Sequence, residues 1–338
     1  MDADSSPVRY FRLGSKILPL GIVAAVLCLP LLFPTEIRET LRAIAMVDTG
    51  TVVVVLLLSL VNYALRCWRW LLLLGERSAA VPPLRHCAIY MAGFALTATP
   101  GKAGEAMRSL YLQPFGVSPR QSLAALYAER LLDLVVISML AALVLTNAGA
   151  GAYMIAFAGL LVVMALTALQ HPVVIGRLDR MALSLRQPRA AALLGTARDF
   201  LGAVRSMLNT RLAVIGTVLG LVAWGGEGVG TYLIAQSLGL EIGLALAIGI
   251  YAVAMLAGAF SFLPGGLGGA EVAMTTLLVY AGASVPVAIA VTMIVRLATL
   301  WFAVAIGLGA WFGLEVFRGP KQPGSVGVAQ GESSHAST

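Results

Sequence analysis

Apolar positions in this chain run in long blocks, not in the strict alternation of a strand or the narrow stripe of a soluble helix. Stretches near residues 17 to 33, 51 to 74, 122 to 146, 152 to 170, 212 to 237 and 286 to 315 each approach the about 20 residues with which a helix crosses roughly 30 Å of hydrocarbon. No charged residue occurs from Leu134 to Gln170, too long a run for one crossing, and the Asn-Ala-Gly-Ala-Gly segment from Asn147 to Gly151 supplies a turn that divides it into a tight helical hairpin.

Two further apolar segments are interrupted by glycine and proline, which end helices, and each break is followed by an acid. One reads Thr99-Pro100-Gly101-Lys102-Ala103-Gly104-Glu105, the other Leu263-Pro264-Gly265-Gly266-Leu267-Gly268-Gly269-Ala270-Glu271. Counting from each glutamate, Gly116 and Gly282 fall at 11 residues, Ser118 and Ser284 at 13, and Arg130 and Arg296 at 25. An arginine at one distance inside two otherwise apolar helices points to an internal duplication. Read as re-entrant hairpins, near 87 to 115 and 243 to 283, the two units enter from opposite faces and form an inverted repeat, as in alternating-access carriers whose broken helices line a midplane cavity. The competing expectation is a pair of ordinary spans kinked at Pro100 and Pro264.

Composition supports a bilayer as the solvent: of 338 residues 59% are hydrophobic and 12% charged, against roughly 25% charged in soluble domains. The fold class expected is an all-α polytopic membrane protein, about six full transmembrane helices plus the two hairpins. A tail at 1 to 16 precedes a membrane domain over 17 to 318, and a Gly- and Ser-rich tail over 319 to 338 has little to bury and is expected to be disordered. The net charge of +7 comes mainly from arginines gathered in the N-terminal tail, the Arg69 to Arg85 loop and a basic segment over 171 to 211. Loops at Glu36 to Asp48, Asn147 to Gly151 and Gly239 to Glu241 lack that excess, so both termini are expected in the cytoplasm, with the protein in the inner or plasma membrane. Within the basic segment Leu193, Leu194, Ala197, Leu201 and Val204 recur at helical spacing, as in a surface-lying helix, while the plainer expectation is a charged connector.

The candidate chemistry lies in charges that hydrocarbon tolerates poorly. Glu129-Arg130-Leu131-Leu132-Asp133 places two carboxylates one helical turn apart, with Asp133 three residues beyond Arg130 as a local partner. One expectation is a structural ion network. The other is a cationic site in which Arg130 and Arg296, with Lys102 and Arg108 near the cytoplasmic entrance, meet a phosphate, since a guanidinium donates bidentate bonds and stays charged when desolvated. Glu105 and Glu271 then balance the arginines or bind a coupling cation or proton. Glu227, in Trp224-Gly-Gly-Glu-Gly228, and Asn62 with Arg66 are lesser candidates. Arg66 and Arg69, beside Trp68 and Trp70, fit interfacial anchors better than ligands. His86, His171 and His335 fall in expected loops or the tail, Cys28, Cys67 and Cys87 read as packing residues, and no metal, nucleotide or protease motif occurs, so neither catalysis nor a cofactor is expected.

Taken together, Pro100 to Glu105, Glu129 to Asp133, Leu263 to Glu271 and Arg296 resemble the lysylphosphatidylglycerol synthase transmembrane, or flippase-like, family over roughly residues 50 to 315. The resemblance implies lipid handling without specifying the lipid. Bifunctional members carry a soluble aminoacyltransferase domain; none follows the last apolar stretch here, so synthesis of an aminoacyl-lipid is not expected. The expected function is translocation of a polar or anionic lipid, or a polyprenyl-phosphate-linked one. The alternative is an accessory protein that docks a lipid-modifying enzyme, for example in hopanoid or glycolipid synthesis, through the basic segment and tail; a membrane-embedded transferase is a third reading. Expected partners are a membrane lipid and, further, such an enzyme or other copies of the chain; no nucleic acid is expected.

Overall fold

A computed structural model of the protein describes residues 34–97, 103–144, 188–261 and 263–316, together with 173, 176 and 180. The expected spans at 17 to 33 and 152 to 170, the turn at 147 to 151, Lys102 and both tails lie outside the described residues. Within them the regular elements are helical: α1 Pro34–Met46, α2 Thr49–Leu74, α3 Pro83–Ala92, α4 Ala103–Leu112, α5 Pro119–Ala141, α6 Pro188–Met207, α7 Thr210–Ser237, α8 Leu244–Phe260, α9 Gly269–Tyr280, α10 Val285–Arg296 and α11 Phe302–Val316.

The segments Thr49–Ser78, Thr210–Ser237 and Val285–Val316 are long and apolar enough to cross a membrane. α2, with 26 residues, extends about 39 Å at 1.5 Å per residue. Its first turn is closed by Asp48, whose carboxylate accepts from the Thr51 amide at 2.9 Å; Asn209 does the same for α7, accepting from the Leu212 amide at 2.8 Å. Val214, Val218 and Val222 recur every fourth residue along α7 and are all more than half exposed, the surface a helix presents to lipid. The last long segment is continuous from Val285 to Val316 but passes through a π turn at Leu297–Trp301. There Tyr63 of α2 donates its hydroxyl to the Thr299 carbonyl at 2.5 Å, satisfying a group at the irregular turn.

α7 lies among α2, α5 and α8. Without a hydrophobic drive between helices in lipid, close approach depends on small side chains. A Cβ added at Gly228 would lie 2.7 Å from the Ile248 Cα on α8, and one at Gly220 would press on Val136 of α5 and on Arg69.

α3, with a 3-10 turn at Gly93–Leu96, packs along α11; α4 then packs against that turn and against α5. α8 and α9, of 17 and 12 residues, are short for full crossings and lie antiparallel: Gly258 approaches Ala270, and Gly269 approaches Ser261. Between them Pro264–Gly266 forms a 3-10 turn; Gly265 and Gly266 within it and Gly268 just beyond it adopt φ of 63°, 68° and 84°, backbone that favours glycine. α10 returns antiparallel to α9, marked by the Thr275 and Thr292 hydroxyls 3.0 Å apart.

One expectation is corrected here. Glu36 to Asp48 is not an open loop: most of it forms α1, which packs on α10 through a face that buries Thr40 and Ala43 and leaves Leu41 and Met46 outside. The second half of the basic segment holds a 20-residue helix, α6, in keeping with the helical spacing of its apolar residues. It packs on α5, burying Val204 and Met207, with Phe200 against the Tyr127 ring and Asp199 3.3 Å from Arg120.

The Gly228 contact separates packing from helix propensity. Gly228→Ala is expected to lower stability by about 1–3 kcal/mol through forced overpacking, whereas Gly225→Ala, which meets nothing within 4 Å, is expected to leave it unchanged or slightly raised. Thermal unfolding of both variants in detergent, followed by tryptophan fluorescence, checks the difference.

Candidate functional site

α5 carries the acids and α2 brings two of the four bases. Ser118 caps α5 in a reciprocal box with Gln121, and the left-handed Gly116 just before it, φ 82°, lets the chain turn from α4 into α5. In the second unit Gly282 has φ 103° and Ser284 is the residue before α10. Arg130 and Arg296 thus sit at one register in their two helices, 12 residues beyond the matching serine in each.

Glu129 is fully buried and collects four guanidiniums: Arg130 at 3.1 Å, Arg108 at 3.4 Å, Arg66 at 3.6 Å and Arg69 at 3.7 Å, besides the Tyr90 hydroxyl, which donates to it at 2.6 Å. Asp133 lies 2.5 Å from Arg69, 3.3 Å from Arg130 and 3.8 Å from Arg66, and accepts the Trp224 indole N–H at 2.8 Å. Four guanidiniums against two carboxylates leave two positive charges, and one would remain even if Glu105, whose side chain lies outside the described residues, joined them. Rings take part of the load: the Arg108 guanidinium carbon lies 3.9 Å from the Tyr90 ring centre, and that of Arg66 lies 5.0 Å from the Trp224 ring. Nitrogens of Arg66, Arg69 and Arg108 still lack a hydrogen-bond acceptor among the described residues, as in a cluster with donors to spare.

The same cluster forms one wall of a cavity of about 600 Å³. Phe94 and Thr97 reach it from the first break, Gly265 and Gly266 from the second, and Arg130 and Arg296 both line it, together with Arg66. Arg130 is the most accessible arginine of the cluster, its side chain 27% exposed against 9% for Arg66 and at most 1% for Arg69 and Arg108. Arg296 donates through Nε to the Glu271 carboxylate at 2.6 Å and through Nη2 to the Gly265 carbonyl at 2.9 Å. Glu271 also accepts the Gly268 amide at 2.7 Å, so one ion pair fastens the glycine turn to α10 and closes the first turn of α9. The recurring glutamate and arginine spacing has a physical meaning in the second unit: an acid at the start of a half-helix meets the base on the helix that runs back beside it.

The sequence-derived candidates fall in three groups. Arg130, Glu129, Asp133 and Arg108 meet in the cluster, but Arg108 is sealed under Tyr90, Trp70 and Phe94 and does not stand at an entrance. Arg296 and Glu271 meet at the second break. Asn62 and Glu227 line the cavity; the Asn62 amide donates to the Ala223 carbonyl at 2.9 Å, and the Ser59 hydroxyl donates to Glu227 at 3.0 Å.

Arg66 and Arg69 are not interfacial anchors. They point inward and are buried, because the acids of α5 need counter-charges, while Trp68, 54% exposed, takes the outward direction. His86 is not in a loop but buried on α3, where its Nε2 accepts from the Trp70 indole at 3.2 Å. The Cys67 and Cys87 sulfurs meet at 3.3 Å between α2 and α3, in keeping with packing residues. Tyr90, Trp224 and Tyr63 completed the site without any sequence signal; a helical count from Asn62 through Arg66 to Arg69 would have placed both arginines on the face of Asn62.

Comparison with known proteins agrees with this architecture. Residues 17–307 match the family described as the lysylphosphatidylglycerol synthase TM region, so the chain belongs to that family. It is similar to a UPF0104 membrane protein of Methanothermobacter thermautotrophicus, 27% identical over 331 residues that cover 90% of this chain and 96% of that one. It is also similar to a UPF0104 membrane protein of Pyrococcus horikoshii, 24% identical over 316 residues, 85% of this chain and 94% of the relative. The protein is a multi-pass integral membrane protein.

The two kinds of ion pair should behave differently when cut. Asp133→Ala leaves Arg69 buried without its nearest counter-charge and is expected to cost about 3–5 kcal/mol. Arg120→Ala, which removes a pair whose side chains are 56% and 38% exposed, is expected to cost under about 1 kcal/mol. Thermal stability and the yield of monodisperse protein in detergent check both.

Proposed function

We propose that this member of the lysylphosphatidylglycerol synthase transmembrane family carries a lipid with an anionic, phosphate-bearing headgroup across the cytoplasmic membrane. The observation that carries the reading is that Arg130 and Arg296, one from each repeated unit, line a single cavity with Arg66. A volume of about 600 Å³ lies within the range of small-molecule sites and suits a phosphate with a small polar substituent, the acyl chains staying outside in lipid. The surplus positive charge of the cluster and the spare donor of Arg66, which lines the cavity, match a phosphate, which brings negative charge and several acceptors at once.

In this reading the two broken elements are re-entrant hairpins that enter from opposite leaflets, with both termini in the cytoplasm, as the arginine-rich segments favour. The cavity then opens alternately to either leaflet as one unit tilts against the other. Arg130 and Arg66 take the phosphate, and Arg296 takes part while holding the second break through Glu271 and Gly265. α3 with α4 and α8 with α9 are built as such hairpins would be, each half shorter than a full crossing.

Arg130→Gln should leave the protein inserted and folded, since Glu129 keeps three other guanidiniums, yet slow translocation of a fluorescent phosphatidylglycerol in reconstituted vesicles by at least about tenfold, the loss of one charge-assisted contact. Glu271→Gln separates the two duties of Arg296: if that arginine only holds the break, Glu271→Gln and Arg296→Gln slow transport equally, whereas a phosphate contact makes Arg296→Gln the more severe. Undiminished transport by both arginine variants, read as dithionite-resistant fluorescence over time, would remove the assignment.

A further inference from the structure

Among the described residues two acids line the cavity, Asp133 and Glu227, and of these only Glu227 stands outside the arginine cluster. Glu129, Asp133 and Glu271 each lie within 4.0 Å of a guanidinium, whereas Glu227, 3% exposed, has no ion pair among the described residues and holds only the Ser59 hydroxyl, at 3.0 Å. It sits one helical turn from Trp224, whose ring stacks under Arg66, so Glu227 and Arg66 share one side of the cavity without touching.

We propose that Glu227 is a proton-binding site linked to the headgroup site, so that one proton is taken up with each anionic headgroup. This rests on the reading of the cavity as a site for an anionic lipid. A phosphate that occupies Arg66 neutralises the nearest positive charge facing Glu227 and adds a like charge, so the unpaired buried carboxylate binds a proton more tightly when the lipid is present, drawn from the side to which the cavity is open. The only bond formed is O–H, and the proton leaves when the phosphate does. A phosphate accompanied by a proton is an electrically neutral load, which the membrane potential does not oppose.

The other groups facing Glu227 do not compete for that role. Tyr63 and Arg66 face it from α2 and Tyr251 from α8. Across the cavity stand Asp133 and Arg130 on α5, and Arg296 on α10 with Glu271. Phenols and guanidiniums do not titrate near neutrality, and the facing acids other than Glu227 are held by arginines.

Proton linkage is reciprocal, so affinity for an anionic headgroup should rise as pH falls, by up to about tenfold per pH unit for one proton. The experiment measures binding of fluorescent phosphatidylglycerol to the full chain in detergent between about pH 6 and about pH 8, and proton uptake on binding with an indicator dye at low buffer strength. The expected result is a pH-dependent affinity with about one proton taken up per lipid bound, retained in Glu227→Asp and abolished in Glu227→Gln. Binding at every pH with no slope and no uptake would overturn the proton site and leave the lipid site standing, as would a slope that persists in Glu227→Gln. If that variant fails to fold, uptake by the unaltered protein still decides. No binding of the anionic lipid at any pH would instead overturn the headgroup site itself, and the proton site with it.

Discussion

A guanidinium cannot give up its charge, and at hydrocarbon depth it cannot be left alone; these two facts organise the centre of the molecule. Glu129 and Asp133, one turn apart on α5, hold Arg66 and Arg69 from α2, Arg108 from α4 and Arg130 from their own helix. Three helices are therefore fixed in rotation and depth by a polar contact that allows little slippage. Gly216 and Gly220 of α7 lie where the Arg69 side chain passes, so the fourth helix is shaped around the same cluster. Apolar packing in lipid is forgiving of register; an ion cluster with fixed partners is not.

The second unit applies the same chemistry more sparingly. Arg296 and Glu271 form a single pair, with Glu271 30% exposed, and what they hold is a glycine turn. The π turn just beyond Arg296 shifts the register of the following helix, and Tyr63 meets the carbonyl exposed there. Irregular backbone at this depth is tolerable only where a cavity or a polar side chain takes its hydrogen bonds, and here both are present.

Much of this was legible in the sequence because it depends on local chemistry. The apolar blocks at 51 to 74, 212 to 237 and 286 to 315 became Thr49–Leu74, Thr210–Ser237 and the continuous Val285–Val316, and glycine and proline separated α8 from α9 where they stood. Matching Glu271 with Arg296 was legible because the same 25-residue spacing recurs from Glu105 to Arg130. What stayed hidden depends on which distant helix arrives. Arg69 and Asp133 are 64 residues apart, so beside two tryptophans Arg66 and Arg69 looked like residues reaching for an interface. His86 looked like a loop residue because the short α3 lacks the length that announces a span; only the partner Trp70 explains its burial. α1 was missed because charges at Glu36, Arg38, Glu39 and Arg42 masked an amphipathic face, whose cover, α10, lies at the other end of the chain.

Under the proposed function the contrast between the units bears on which of them moves. Opening the first would separate α2, α4 and α5, and with them several buried ion contacts, each of which leaves a desolvated charge behind when broken. Opening the second requires release of one pair and rotation about glycines already in left-handed backbone, Gly265, Gly266 and Gly268. Under the proposed function an arriving phosphate substitutes for Glu271 at Arg296, so ligand and clamp compete for one guanidinium and the ligand itself loosens the turn. Under the proposed function the first unit serves as the fixed side of the cavity, with Arg130 and Arg66 toward the phosphate, and the second as its movable side. The two units match in spacing, and on that reading the surplus of arginines in one half gives them a mechanical direction that spacing alone does not contain.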